Sequence, residues 1–375
     1  MTKLREITDL GQSVWYDNIR RALLDSGELR ALIEGGVSGV TSNPSIFEKA
    51  IAGSTDYDEA LHHLVDEGKP VIEIYETLAI EDIRRAADLL RPIYDRSNGV
   101  DGYVSLEVSP TLAHDSGGTI SEAKRLFATL GRPNVMIKVP ATAAGILAIE
   151  ALIGEGINVN VTLIFSMTNY EDVAESYIRG LERLATQTDD LSSVTSVASF
   201  FISRVDNAVD RALEKFNDHD LHGKIAIANA KISYARFREI FSGDRWDRLV
   251  EFGARVQRPL WASTSTKNPL YPDTLYVENL VGPDTVNTLP PVSLQAFLDH
   301  GSVDQTIEVG LEDARDQLGR LAELGVDLDE MTQKLQDDGV AAFAESFVAM
   351  LASIAEKRDR LWERGGITRV AEGSS

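Results

Sequence analysis

The feature that most restricts this chain is a rhythm: short β-branched runs alternate with longer segments whose apolar residues recur at helical intervals. Eight runs read as strands, at residues 13–19, 39–43, 102–108, 134–140, 157–165, 196–202, 258–264 and 273–280. Between them, segments such as 119–130, 143–154 and 169–184 have helical spacing, with Gly or Pro near their ends. Strands that alternate with helices pair in parallel through right-handed crossovers. Eight such units predict an α/β fold, a single (β/α)8 barrel, with a doubly wound open sheet as the competitor. Residues 57–96 are long enough for two helices, and 205–249 for more than one. After the eighth strand, 292–300 and 306–364 read as closing helices, followed by a polar tail at 371–375 that is expected to be mobile. No Pro/Ser/Gly-rich linker interrupts the chain, so residues 1–375 are expected to form one domain.

The strands themselves favour the barrel. A parallel strand covered by helices should be almost continuously apolar, yet several here alternate strictly. Asn158, Asn160 and Thr162 share one parity and Val159, Val161 and Leu163 the other. Tyr103, Ser105 and Glu107 stand opposite Val104, Leu106 and Val108, and Lys138 shares a face with Met136 rather than with Ile137 and Val139. Ser13, Trp15 and Asp17, then Thr41 and Asn43, then Ser263 and Ser265, follow the same rule. Successive side chains point to opposite faces of a strand. The apolar set must meet the helices, so the polar set points into the barrel. It gathers toward the C-terminal strand ends, where barrel active sites lie.

Lys138 is the residue to explain. An amine that loses hydration inside a barrel is easier to hold neutral, and a neutral amine can attack a carbonyl. The plainer alternative is a lysine whose stem covers apolar surface while its head reaches solvent. Glu107 and Asp17, expected on inner faces of other strands, would supply the acid and base that Schiff-base chemistry requires. Cations with neighbouring hydroxyls suit a phosphate. Arg204 follows the sixth strand in Ser199-Phe-Phe-Ile-Ser-Arg204, and Lys267 follows the hydroxyl run Ser263-Thr264-Ser265-Thr266.

These residues resemble a known family. Asn134-Val-Met-Ile-Lys138-Val-Pro-Ala-Thr142 and Glu155-Gly-Ile-Asn-Val-Asn160-Val-Thr162-Leu-Ile-Phe-Ser166 are similar to the fourth and fifth strands of transaldolases. Thr41-Ser-Asn43-Pro-Ser-Ile-Phe47 resembles their second strand, and the likeness runs from about Val14 to Thr288. It implies a cytoplasmic, cofactor-free transferase of the non-oxidative pentose phosphate pathway. Such an enzyme moves a dihydroxyacetone unit from sedoheptulose 7-phosphate or fructose 6-phosphate to glyceraldehyde 3-phosphate or erythrose 4-phosphate.

By the same resemblance Lys138 forms the Schiff base, and Asp17 takes the proton from the C4 hydroxyl. Glu107 works through a water that Thr162 holds. Asn43, Asn160 and Ser199 meet substrate hydroxyls, and Arg204 meets the phosphate together with Ser265 and Lys267. Ser263 could replace Ser265. Some family members have an arginine where Lys267 aligns, and a lysine lacks that bidentate fork. Asn43-Pro44 could also be turn chemistry alone.

Composition closes other routes. Cysteine is absent, which excludes disulfides and thiolate sites. A net charge of −22 argues against nucleic acid or anionic membrane as the partner. Residues 1–10 lack the apolar core of a signal peptide, and no run approaches the ~18 apolar residues of a membrane span. His62-His63 and the stretch His219 to His222 lack a convincing ligand set, so no metal is expected. Neither a G-x-G-x-x-G after a strand nor a Walker A pattern is present. The expected partners are sugar phosphates, with the chain a monomer or a homodimer.

Overall fold

The computed structural model describes the backbone of residues 2–216 and 220–372, and side chains as far as Arg360. Eight parallel strands close on themselves: β1 (Gln12–Tyr16), β2 (Gly39–Val40), β3 (Val104–Glu107), β4 (Val135–Pro140), β5 (Val159–Ile164), β6 (Ser196–Phe201), β7 (Arg258–Ala262) and β8 (Thr285–Leu289). β8 pairs back onto β1 across five positions, which removes every open edge and excludes the doubly wound sheet. The stretch 57–96 holds the two expected helices, Asp58–Asp66 and Val71–Arg96, and 205–249 holds parts of three.

Seven strands fall where the alternation put them. The eighth does not: residues 273–280 contain the short helix Leu275–Asn279, and β8 begins six residues after that helix ends. The run Leu275-Tyr276-Val277 is apolar because Tyr276 and Val277 are buried. The Tyr276 hydroxyl turns to donate to the buried carboxylate of Asp206, 2.9 Å away, which draws this segment onto the helix Ser203–Leu213.

Polar residues also seal the N-terminal end of the barrel. Asp101 accepts from the Ser13 hydroxyl at 2.5 Å and the Trp15 indole at 2.7 Å. Arg258 reaches across from β7 to donate to Ser13 at 2.8 Å and to the Val100 carbonyl at 2.9 Å. Trp15 fits because its neighbour in register is Gly39; a Cβ there would lie 2.6 Å from the indole ring.

The closing helices expected over 306–364 are Leu311–Glu323 and the long C-terminal helix Leu328–Glu372. The tail expected at 371–375 lies outside the described side chains, and outside the described backbone from 373 onward. Part of the C-terminal helix, within Leu328–Arg360, is long and apolar enough to cross a membrane by composition alone, contrary to the sequence reading. Its apolarity has a local cause. Val340, Phe343, Phe347, Met350 and Ile354 are buried at helical spacing against the barrel. The same helix is stapled to the loop after β2: Ser45 donates to Ser346 at 2.8 Å, and Lys357 binds the carbonyls of Ile51 and Ser54 and pairs with Asp58 at 3.0 Å.

Candidate active site

At the C-terminal mouth of the barrel lies a cavity of about 800 Å³. Lys138 reaches it from the inner face of β4, with only 6% of its side chain exposed. Its Nζ donates to the Ser42 carbonyl at 3.2 Å and stands 3.9 Å from Glu107 Oε2. The lysine therefore points inward, and the reading in which its head escapes to bulk solvent is excluded.

Strand register explains the grouping. Glu107, Lys138 and Asn160 are Cα partners on β3, β4 and β5, so their side chains leave the wall at one level. Burial pushes Glu107 up to about 7, with Lys138 opposing and the Asp17 charge adding to the rise. Asp17 lies just past the end of β1, on the cavity wall. Loss of hydration raises its pKa too, against the pull of Lys138 and of the hydrogen bond from Thr41. Thr41 Oγ1 lies 2.7 Å from Asp17 Oδ1 and 2.7 Å from Thr288 Oγ1, so three strand ends meet at that carboxylate.

The hydroxyl-binding candidates separate. Asn43 lines the cavity and also caps the next helix, its Oδ1 accepting from Ile46 N at 3.0 Å. The turn chemistry is real, and among the described residues no group accepts from the amide nitrogen. Asn160 is fully buried and donates to Ser105 at 3.0 Å, while accepting from Ser199 at 2.7 Å. Ser199 is thus the member of that pair on the cavity wall. Thr162 is fully buried; its Oγ1, like Glu107 Oε2, has no hydrogen-bond partner among the described residues.

At the other side of the cavity stand Arg204, Ser263, Ser265 and Lys267. Arg204 opens the helix Ser203–Leu213, and among the described residues no carboxylate pairs with it. Burial lowers its pKa, and its guanidinium lies over the rings of Phe201 and Phe343 at 5.2 and 6.0 Å. A half-buried cation with no carboxylate partner among the described residues, beside helix amides, has the chemistry to hold an anion. Lys267 is exposed and donates to Ser265 at 2.7 Å. Ser263 lies beyond β7 in a left-handed conformation, φ 56°, with its hydroxyl 3.0 Å from that of Ser203. Both serines line the cavity, so the choice between them stays open.

The chain is similar to known proteins over most of its length. The profile of the family described as Transaldolase/Fructose-6-phosphate aldolase matches residues 14–354. The chain belongs to that family. A protein named Transaldolase 2 from Nostoc punctiforme is 46% identical over 369 residues, covering 94% of this chain and 97% of its own. The Transaldolase of Trichodesmium erythraeum is 45% identical, with 96% and 98% covered. That of Parafrankia sp. is 48% identical over 359 residues, with 94% and 97% covered. The family match spans nearly all of the barrel and reaches into the C-terminal helix of this transaldolase-family chain.

Sequence reasoning missed the roof. Phe343 lines the cavity from the C-terminal helix, its ring 5.9 Å from Lys138 Nζ. Thr288 was hidden by the misplaced eighth strand. Lys49, an exposed cation on the rim, had no signal in its local sequence.

Proposed function

We propose that this chain is a transaldolase that transfers a three-carbon ketol unit between sugar phosphates through an imine on Lys138. The observation that carries this reading is the inward, buried lysine with Glu107 at 3.9 Å and Asp17 close enough to feel the charge of the lysine. The neutral amine adds to the C2 carbonyl of a ketose phosphate, and loss of water from the carbinolamine gives the iminium. Asp17 takes the C4 hydroxyl proton, the C3–C4 bond breaks, and the electron pair moves into the iminium as an enamine. An aldose phosphate leaves. The enamine then attacks the aldehyde of a second aldose phosphate, Asp17 returns its proton, and water hydrolyses the new imine. Glu107, balanced near neutrality, can give a proton to the departing hydroxyl in one half and accept one from water in the other. Glu107 Oε2 and Thr162 Oγ1, which have no hydrogen-bond partner among the described residues, offer the polar contacts a water needs.

Arg204 takes the phosphate, with Lys267 and one of the two serines on its flank; Asn43 and Ser199 meet hydroxyls nearer the lysine. Sedoheptulose 7-phosphate and fructose 6-phosphate fit as donors, and glyceraldehyde 3-phosphate and erythrose 4-phosphate as acceptors. A soluble cytoplasmic enzyme, needing no cofactor, accords with imine chemistry and with the names of the relatives.

The test uses fructose 6-phosphate with borohydride, followed by peptide mass analysis. The peptide containing Lys138 should gain a reduced carbon fragment, and Lys138→Ala should lose both adduct and turnover. An adduct elsewhere, or turnover within tenfold of wild type, refutes the assignment. Consumption of fructose 6-phosphate without an acceptor aldose phosphate would indicate an aldolase instead.

A further inference from the structure

We infer that Gln336, on the C-terminal helix, is a positioning residue that holds Thr162 in place for the imine steps. The inference rests on the reading of Thr162 given above. β5 is irregular just where Thr162 sits: its pairing with β6 shifts register between Val161 and Ile164, and Leu163 adopts φ 62°. A leucine in the left-handed region is strained and persists only where its surroundings hold it. Two features of the C-terminal helix do so. Gln336, only 7% exposed, donates from Nε2 toward the Leu163 carbonyl at 3.0 Å, so this displaced acceptor is not left unpaired. Gly339, one turn on, passes so close that a Cβ there would lie 3.0 Å from Leu163 Cδ2 and 3.6 Å from the Arg204 guanidinium.

The same Nε2 also lies 3.0 Å from the Ala141 carbonyl and 3.1 Å from Asn169 Oδ1, so three acceptors share two hydrogens. Ala141 follows β4, the strand of Lys138, and its own N–H donates to the Thr162 carbonyl at 2.8 Å. Asn169 in turn donates to the Ala141 carbonyl at 3.0 Å. One buried amide therefore joins the ends of the lysine strand and the threonine strand on both sides of Thr162. Without it, the bulge can relax toward a regular strand. Because side chains alternate across a strand, a one-residue change of phase turns Thr162 away from Lys138.

Gln336→Met keeps the length and removes the donor. We expect kcat to fall at least tenfold, with KM for fructose 6-phosphate changed less than twofold and the urea unfolding midpoint near that of wild type. In a Thr162→Ala background, the added loss should be less than twofold, since the group that Gln336 holds is already gone. Gln336→Asn, too short to reach both carbonyls, should not rescue. A wild-type kcat for Gln336→Met, or an equal loss in both backgrounds, overturns the proposal. A wild-type rate for Lys138→Ala would overturn the Schiff-base reading itself, which separates the two failures.

Discussion

Glu107→Gln tests the electrostatic core of the site through stability rather than rate. The carboxyl is 9% exposed and its pKa is pushed from the ordinary 4.5 up to about 7, first by burial. The sign follows from proton counting. Between those values the folded chain binds a proton that the unfolded chain has released, so stability must fall as pH rises through the window. At about 1.4 kcal/mol for each tenfold change in proton affinity, the full cost is about 3 kcal/mol. At pH 5 about a quarter of it is present, because the pH exceeds the unfolded pKa by only about half a unit, and by pH 8 nearly all of it is. Glutamine has no such titration. The difference in unfolding free energy, variant minus wild type, should therefore rise by about 2–3 kcal/mol from pH 5 to pH 8.

Urea unfolding of both proteins across that range measures it, and the other titrating groups largely cancel in the difference. Single-turnover imine formation and hydrolysis should both slow in the variant. A difference that stays flat within about 0.5 kcal/mol, against the 2–3 expected, would mean that Glu107 is ionised throughout. It could then not donate a proton near neutrality, and the imine chemistry would need another acid.

Two further substitutions probe opposite ends of the barrel. Arg204→Ala should raise KM for phosphorylated acceptors at least tenfold with a smaller change in kcat, since the phosphate contact exists in ground and transition states alike; comparing glyceraldehyde 3-phosphate with glyceraldehyde checks it, and an unchanged preference would move the phosphate elsewhere. Asp101→Ala strips the acceptor from Ser13 and Trp15 and the carboxylate from buried Arg258, 3.9 Å away. The expected loss is about 3 kcal/mol of stability, with kcat per folded molecule unchanged because the mouth is at the other end. A urea midpoint equal to wild type would show the plug to be dispensable.

The barrel was legible where the chain alternates strictly. On β3, β4 and β5, a period of two separates Ser105, Glu107, Lys138 and Asn160 from the valines, because one face must meet helices and the other cannot. Strand ends were less legible. Asp17, Thr41 and Asn43 keep the alternation beyond the ends of β1 and β2, so the sequence pattern overshoots. Periodicity also assigns a face but not a depth: Asn160 and Ser199 share the interior, yet only the serine reaches the cavity. β8 was lost because Tyr276 and Val277 are apolar for the sake of a helical turn packed on Asp206, while the true strand carries Thr285, Asn287 and Thr288. The C-terminal helix was legible as a helix, but its contacts with the site were not. Gln336 and Ala141 touch across 195 residues, and neither local propensity nor spacing encodes such a contact.

Charge distribution joins these parts. The chain carries −22 overall, yet Lys138, Arg204, Lys49 and Lys267 all border one cavity. The opposing carboxylates there are partly neutralised: Glu28 stands 3.7 Å from Arg20, and the raised pKa of Asp17 weakens its ionised form. Salt screens exposed charges beyond about 8 Å under physiological conditions, so the acidic exterior contributes little inside the mouth. Arg204 is shielded further by the two phenylalanines and by Gly339, whose missing side chain lets the helix pass beside the guanidinium. A larger residue at 339 would press on Leu163 and Arg204 together, on the irregular strand and on the buried side of the cavity's arginine at once. The C-terminal helix is for that reason part of the site: the barrel supplies the lysine and its acids, and the helix sets the surroundings in which they work.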